Sequence, residues 1–289
     1  MASNENALVI AQLTDIHIGF DQEAGDGELN YLRYRAALTT LQEQPSRPDL
    51  LVLTGDLTDR GDAESFDRLA EPLRALPFPV YPLVGNHDSR ESLLRAFPDC
   101  PSEDGFIHYA IERGGLLILC LDTFEPGRHG GAFCDRRAAW LAAKLAANRA
   151  TPTLIFMHHP PVVSGIDWMD PAPDEDWIAR FAAAIEGHPQ IRAIHCGHLH
   201  RTFHSSFRGV PLGITPSVAP AVALDLRPVD PERPDGRALI AAEPPHYALH
   251  RWHNGALVTH YQPVGDWDQL AAFGPPLQPM MRDMFAERS

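Results

Sequence analysis

Residues Leu50–Asp62 read LLVLTGDLTDRGD. Five aliphatic or β-branched residues end at a glycine, and the first side chain beyond the turn is a carboxylate, Asp56. A run this short and apolar predicts a buried strand, and Gly55 suits the tight turn that ends it. The same order recurs along the chain. ALVIAQL (Ala7–Leu13) precedes Asp15 and His17, and VYPLV (Val80–Val84) precedes Asn86, His87 and Asp88. TLIFM (Thr153–Met157) precedes His158 and His159, and IRAIHC (Ile191–Cys196) precedes His198 and His200. LLILCL (Leu116–Leu121) reads as a further strand. Helical patterns lie between, over Leu29–Gln44, Ala63–Ala75, Arg136–Asn148 and Asp174–Glu186. Alternation of this kind predicts α/β layers.

Beyond His200 the pattern changes. TFHSSF, VPLGIT, YALHRW and ALVTHY follow without helices between them, and we expect antiparallel strands of a second sheet packed on the first. Arg227–Pro245 is rich in proline and charge and reads as a loop. We expect a catalytic domain over 1–262 and a C-terminal extension over 263–289. The extension carries Trp267, Leu270, Phe273, Leu277, Met280, Met281, Met284 and Phe285. A free tail is usually poor in such residues, so we expect it to join subunits in a homo-oligomer.

The chain has 289 residues and a formal net charge of -14. That surface repels nucleic-acid backbones and anionic membranes, so neither is an expected partner. The N-terminus lacks a basic region, its apolar run is too short for a signal peptide, and no run is long enough for a membrane span. The cysteines Cys100, Cys120, Cys134 and Cys196 are scattered, as expected of free thiols in a reducing cytoplasm.

In α/β sheets, ligands bind outside the carboxyl ends of the strands, so the polar residues after the five strands should converge on one rim. Carboxylate, amide oxygen and imidazole suit Zn, Mn, Fe or Co. In extended chain, side chains two apart point the same way, so Asp15 can share a target with His17, and His198 with His200. Cys196 belongs to the strand and reads as core. Gly55, Gly85 and Gly197 fit turns at strand ends. An Asp in such a place is often only a turn or helix-cap residue, and a single buried His a satisfied core residue. Five such elements in order argue for a metal centre, and seven candidate ligands exceed one tetrahedral ion. That suggests two ions bridged by a shared carboxylate.

The ordered motifs DIH, GD, GNHD, HHP and GHLH resemble those of the calcineurin-like metallophosphoesterases, over about Ala7 to Tyr261. TGDLTDRGD, VGNHD, IFMHHPP, CGHLH and ALHRW are most similar to class III cyclic-nucleotide phosphodiesterases and bacterial glycerophosphodiesterases. The resemblance implies a four-layer α/β/β/α sandwich, with two mixed sheets flanked by helices. It implies that Asp15, His17, Asp56 and His200 hold one metal ion, and that Asp56, Asn86, His158 and His198 hold the other, with Asp56 bridging. His158, two residues before the proline, is then the ligand of the adjacent pair, and His195 is supporting or structural. The implied reaction is attack of a metal-bound hydroxide on phosphorus, with His87 and Asp56 as catalytic residues and His87 supplying the leaving group's proton.

The implied substrates are small phosphodiesters: a 3',5'-cyclic nucleotide or a related alkyl, aryl or glycero diester. GDLTDRG is also similar to protein phosphatases, where the motif's arginine binds phosphate, but the wider arginine set is not recognisable here, and we read Arg60 as an ion-pair partner. A phosphomonoesterase, a nuclease or pyrophosphatase, and a non-catalytic scaffold of the same fold are the competing readings. Glycerophosphodiesterases of the family carry a further His where this chain reads TPSVAPAV, which speaks against a glycerol-type substrate. The loop Val162–Trp177 offers Trp168 and Met169 as possible walls of a substrate pocket.

Overall fold

The structure, a computed structural model, describes residues 7–172 and 174–288. Residues 1–6, Pro173 and Ser289 lie outside the described residues; they include the outer ends of the two expected domains and one position of the 162–177 loop.

In chain order the elements are β1 (Leu8–Leu13), α1 (Leu29–Gln42), β2 (Leu50–Thr54), α2 (Ala63–Leu73), β3 (Val80–Leu83), α3 (Arg90–Ala96), β4 (Tyr109–Arg113), β5 (Leu116–Leu121), α4 (Asp135–Ala147) and β6 (Thr153–Met157). There follow α5 (Asp176–Ile185), β7 (Ile191–Cys196), β8 (Phe203–Phe207), β9 (Val210–Ile214), β10 (Ala221–Val222), β11 (Ile240–Ala241), β12 (His246–His253), β13 (Ala256–Pro263) and α6 (Gln278–Ala286).

Two large mixed sheets result. One runs β13-β12-β1-β2-β3, the other β4-β5-β6-β7-β9-β8; β10 and β11 pair separately. This corrects one expectation: the strands after His200 do not form a sheet of their own. The hairpin β8–β9 extends the sheet of β4–β7, with β9 parallel to β7, while the hairpin β12–β13 extends the sheet of β1–β3, with β12 antiparallel to β1. The six earlier strands are likewise divided between the two sheets. A strand pattern shows which residues alternate, not which free edge they join. Both hairpins close on two-residue turns with positive φ, Arg208–Gly209 and Asn254–Gly255, the turn type whose twist matches paired strands.

The sandwich explains the unbroken apolar runs. In β5, Leu117 and Leu119 pack toward the core beneath α4 and α5, while Ile118 and Cys120 join the core that also holds α1, α2 and β1–β3. A strand buried on both faces reads as a continuous run rather than an alternation. Each helix buries one face: Tyr34 and Leu41 of α1 and Phe66 and Leu69 of α2 cover one sheet, and Leu141 and Leu145 of α4 and Phe181 of α5 cover the other. α2 starts where the Asp62 carboxylate accepts the Ser65 N–H at 2.9 Å.

Between the sheets lies a polar seam. Gln12 donates to Thr54 Oγ1 (2.7 Å), its Oε1 accepts from Thr215 Oγ1 (2.7 Å) and lies 3.0 Å from His250 Nε2. These buried groups tie β1, β2 and β12 to the end of β9, directly below the strand ends that carry the candidate ligands. All four cysteines are free.

Candidate metal centre

The residues singled out after the five strands meet at the carboxyl edges of both sheets. Asp15, His17, Asp56, His198 and His200 all have left-handed backbone, with φ of 51, 53, 47, 70 and 51°. For residues with a Cβ this conformation is costly, and such strain gathers at functional sites when the surroundings enforce it. Here they do. Asp15 N–H donates to Gly55 O (3.0 Å), Ile16 N–H to Asp56 O (2.8 Å), Gly197 N–H to His158 O (3.1 Å) and Ala219 N–H to Asp15 O (2.9 Å). Most of these bonds join neighbouring turns within a sheet, and the His198 N–H, donating to Asp15 Oδ1 (3.0 Å), ties the turns of the two sheets together.

The donor atoms fall into two overlapping clusters. In the first, His200 Nε2 lies 3.3 Å from Asp15 Oδ1 and 3.2 Å from His17 Nε2. His200 Nδ1 is 2.9 Å from the Pro220 carbonyl and His17 Nδ1 is 3.3 Å from Asp59 Oδ1. Those oxygens accept, so each Nδ1 carries a proton and the two Nε2 atoms are turned toward one another. Two ring nitrogens at that distance repel unless a proton or a metal cation lies between them. In the second cluster, His158 Nδ1 donates to Thr54 O (2.8 Å), and its Nε2 faces Asp56 Oδ2 (3.2 Å) and Asn86 Oδ1 (3.2 Å), both acceptors. A ring N–H tied to a carbonyl, with the opposite nitrogen turned into the cluster, is how metal-binding histidines are oriented. His158, His159 and His198 also bring donor atoms within 4.8 Å of one another, as do Asp15, Asp56 and His158. Asp56 Oδ2 stands between the clusters, 3.2 Å from His158 Nε2 and 3.7 Å from His17 Nε2. The donor set therefore fits two cations sharing one carboxylate.

The electrostatics follow from burial and crowding. Burial raises the Asp56 carboxyl, but His158 and His17 override it and hold it well below the ordinary range. Burial lowers His158, yet the Asp56 carboxylate lifts it to about 9. Burial, with the nearby histidines, drives His159 and His198 well below an ordinary imidazole, so both are neutral and able to donate a lone pair. Asp88, buried next to Asp56, is pushed up to about 6 by burial and that neighbour. It accepts the N–H groups of Leu57, Thr58 and Gly85 and so pins the β2 and β3 turns together.

Other expectations fare differently. Gly55 has positive φ as a turn glycine should, but Gly85 and Gly197 do not. They are needed for close approach: a Cβ on Gly85 would lie 2.2 Å from Asp56 Oδ1, and one on Gly197 2.0 Å from Thr14 Oγ1. His195 is buried between the sheets against His250 (ring centroids 4.0 Å), with neither ring nitrogen hydrogen-bonded among the described residues, and burial pushes it down to about 3. Arg60 lies 4.0 Å from Asp59 and 3.4 Å from the Phe20 carbonyl. His87 donates from Nδ1 to the Asp59 carbonyl (2.8 Å), its N–H donates to Asp56 Oδ1 (2.9 Å), and it shares a cluster with His17 and Asp56.

Two residues at the site, His129 and Asp59, were not singled out from the sequence, and His159 was named there but set aside in favour of His158. His159 Nε2 lies 3.1 Å from Asn86 Oδ1, and His159 Nδ1 is 2.8 Å from Thr123 Oγ1. His129 Nδ1 lies 3.2 Å from Asn86 Nδ2, so it accepts there. Asp59 orients His17. Three cavities border the cluster; the smallest, about 130 Å³, lies beside His200 and Arg201, and two are larger. One, about 420 Å³, is walled by His17, His200, Phe20, Leu29, Pro220 and Ile240; the other, about 250 Å³, by His159, His198, His129, Arg128, Trp168 and Glu175. A larger cavity of about 780 Å³ beneath α5 shares no residue with either.

Two mixed sheets with an Asp/His/Asn cluster at their carboxyl edges define a metallophosphoesterase. The calcineurin-like phosphoesterase family profile matches residues 8–202, and the chain belongs to that family. It is 31% identical to a "Probable glycerophosphodiester phosphodiesterase" of Arcobacter nitrofigilis, over 90% of this chain and 95% of that one. It is 33% identical to a "Probable cyclic nucleotide phosphodiesterase" of Synechococcus, over 84% of this chain and 91% of the other. Among solved structures it resembles a dimetal phosphatase from Danio rerio, with a TM-score of 0.58, 16% identity and coverage of 89% and 99%. That likeness concerns the fold alone. Among the described residues, no helix is long and apolar enough to cross a membrane.

Proposed function

We propose that the protein is a binuclear metal-dependent phosphodiesterase acting on small diesters, either 3',5'-cyclic nucleotides or related alkyl, aryl or glycero diesters. The observation that carries this reading is the position of Asp56 between two clusters of metal-type donor atoms. The names of the relatives, phosphodiesterases along nearly their whole lengths, support the diester bond as the target. Asp15, His17, Asp56 and His200 would hold one ion, and Asp56, Asn86, His158 and His198 the other. The oxygen and imidazole donors suit Fe, Mn, Zn or Co. When bound, the ions supply Lewis-acid polarisation of the phosphoryl group and an activated water.

The chain's own residues do the rest. Asp59, Thr54 and Pro220 hold Nδ1 of His17, His158 and His200, so each ring would offer its Nε2 lone pair to an ion. Asp56 and Asp15 offset the cations' charge. His87, held through Nδ1 by the Asp59 carbonyl and about one-third exposed, is placed to pass a proton from its other nitrogen to the leaving oxygen.

The segment beyond Val264 supports a homo-oligomer. Leu270 is 96% exposed, Phe273 72% and Trp267 64%, and no residue of α6 is buried against its own chain. Apolar surface of this kind is covered most simply by a second copy.

The test is to load the protein with each metal and assay cyclic AMP, glycerophosphoethanolamine and bis(p-nitrophenyl) phosphate side by side. Turnover of at least one, abolished by chelation and restored by metal, is expected. A protein holding two ions that turns over none of them contradicts the proposal.

A further inference from the structure

We infer that the cavity beside His17 and His200 seats an uncharged apolar arm of the substrate, an alkyl chain or an aromatic ring, and that it selects against glyceryl and anionic arms. The inference rests on the phosphodiesterase reading and deepens it. A diester carries two substituents on phosphorus, and the two larger cavities at the donor cluster differ in character. The one of about 250 Å³ is mixed, with Arg128, His129 and Glu175 beside Trp168 and Met169 in its wall. The one of about 420 Å³ presents mainly apolar surface, with Phe20, Leu29, Pro220 and Ile240 in its wall. Because His17 and His200 complete that wall, whatever fills it lies against the group being hydrolysed.

Most of the polar side chains that reach this cavity are already engaged. Glu28 accepts the Gly19 N–H (2.8 Å) and pairs with Arg68 (2.9 Å), Asn30 donates to the His17 carbonyl (3.0 Å), and Asp59 faces His17. No lysine or arginine lines it among the described residues, while Asp21 and Asp59 do, so an anionic arm would be repelled. Phe20, Leu29 and Ile240 are 66%, 57% and 53% exposed. Apolar side chains clustered at the mouth of a catalytic cleft gain by covering an apolar ligand, and a site without free donors discriminates against hydroxyls it cannot pair.

The experiment is calorimetric titration of dimethyl, dibutyl and bis(2,3-dihydroxypropyl) phosphate into the metal-loaded protein, beside Leu29→Ser, Ile240→Ser and Trp168→Ser variants checked for equal metal content. Each buried methylene is worth a factor of about four, so the dibutyl ester should bind about tenfold or more tightly than the other two. That advantage should shrink severalfold in Leu29→Ser and Ile240→Ser and persist in Trp168→Ser. Equal affinities for the three esters would overturn the inference, as would an advantage that survives both Leu29→Ser and Ile240→Ser or is lost only in Trp168→Ser. Leu29→Ser protein that turns monomeric with its ester preference intact would show instead that the apolar mouth joins two copies. Turnover of bis(p-nitrophenyl) phosphate is measured on the same samples. Its absence counts against the phosphodiesterase reading alone, since the binding preference is read independently of turnover.

Discussion

Asp56 is nearly fully buried, adopts a backbone conformation suited to glycine, and places one carboxylate oxygen against His17 and His158 together. Replacing it with alanine removes the shared ligand, so Asp56→Ala is expected to abolish turnover and leave fewer than two ions per chain by elemental analysis. A variant that keeps both ions and full activity would remove Asp56 from the centre. Asp59→Ala tests the orientation of His17 instead. Loss of such an outer partner is expected to weaken metal affinity by about 10–100-fold. Acidity acts on the same pair. In the metal-free protein His158 is lifted to about 9, so its contribution to stability is fully present below its ordinary 6.5 and is lost as pH rises through about 9. Asp56 is depressed, so its contribution is present above 3.8 and is lost only as pH falls through its lowered folded value. Metal-stripped protein should therefore melt at a higher temperature at pH 7 than at pH 10. Metal must displace the His158 proton, so apparent affinity should fall about tenfold per pH unit below about 9. Affinity independent of pH between 6.5 and 8.5 would contradict that. At this scale the candidate ligands were legible because each follows a strand directly. His129 was not, being a lone histidine in the loop after β5, and His159 was hidden beside His158.

The turns that carry the ligands work only because two glycines let them touch. In Gly197→Ala, the new methyl would meet Asp15 Oδ2 at 2.6 Å as well as Thr14. Overpacking of this kind costs about 1–3 kcal/mol, and here the atom displaced is a candidate ligand. We expect far-UV circular dichroism to stay native while bound metal falls; unchanged metal content would show the turn to be more forgiving than its contacts imply. The strand runs at Leu50–Thr54, Leu116–Leu121, Thr153–Met157 and Ile191–Cys196 were readable to the residue, because burial on both faces keeps the first three unbroken and leaves only Arg192 exposed in the last. α3 and β4 were not. RESLLRA buries only Leu93 and Ala96, too little for a periodic signal, and YAIER is an edge strand with one face in solvent. The extension is a further element in question. The chain ended after Val264, which is buried and donates to Pro245 O (2.7 Å), should keep its metal and lose oligomeric mass by light scattering. An unchanged mass would place the subunit contact elsewhere.

Across the whole molecule, the centre belongs to neither sheet. β1, β2 and β3 bring Asp15, His17, Asp56 and Asn86 from one, β6 and β7 bring His158, His198 and His200 from the other, and the Gln12 seam holds the two in register. That division was not legible in the sequence. Which strands share a sheet is settled by pairings such as Ile10 with His250, made across most of the chain's length, and no local pattern records them. The layer class was legible, because alternating strands and helices have few other ways to bury their apolar faces. Arg128, which lines the cavity at His159 and His198, is paired with Glu175 at 2.7 Å rather than free for a second phosphate charge, and an assembly of this kind is suited to cleaving diesters. The most direct measurement is kcat/KM for bis(p-nitrophenyl) phosphate and p-nitrophenyl phosphate on one sample loaded with two metal ions per chain. The diester should be the better substrate, with both activities lost on chelation. A better monoester rate at the same metal loading, or diester turnover that survives removal of the metal, would contradict the account.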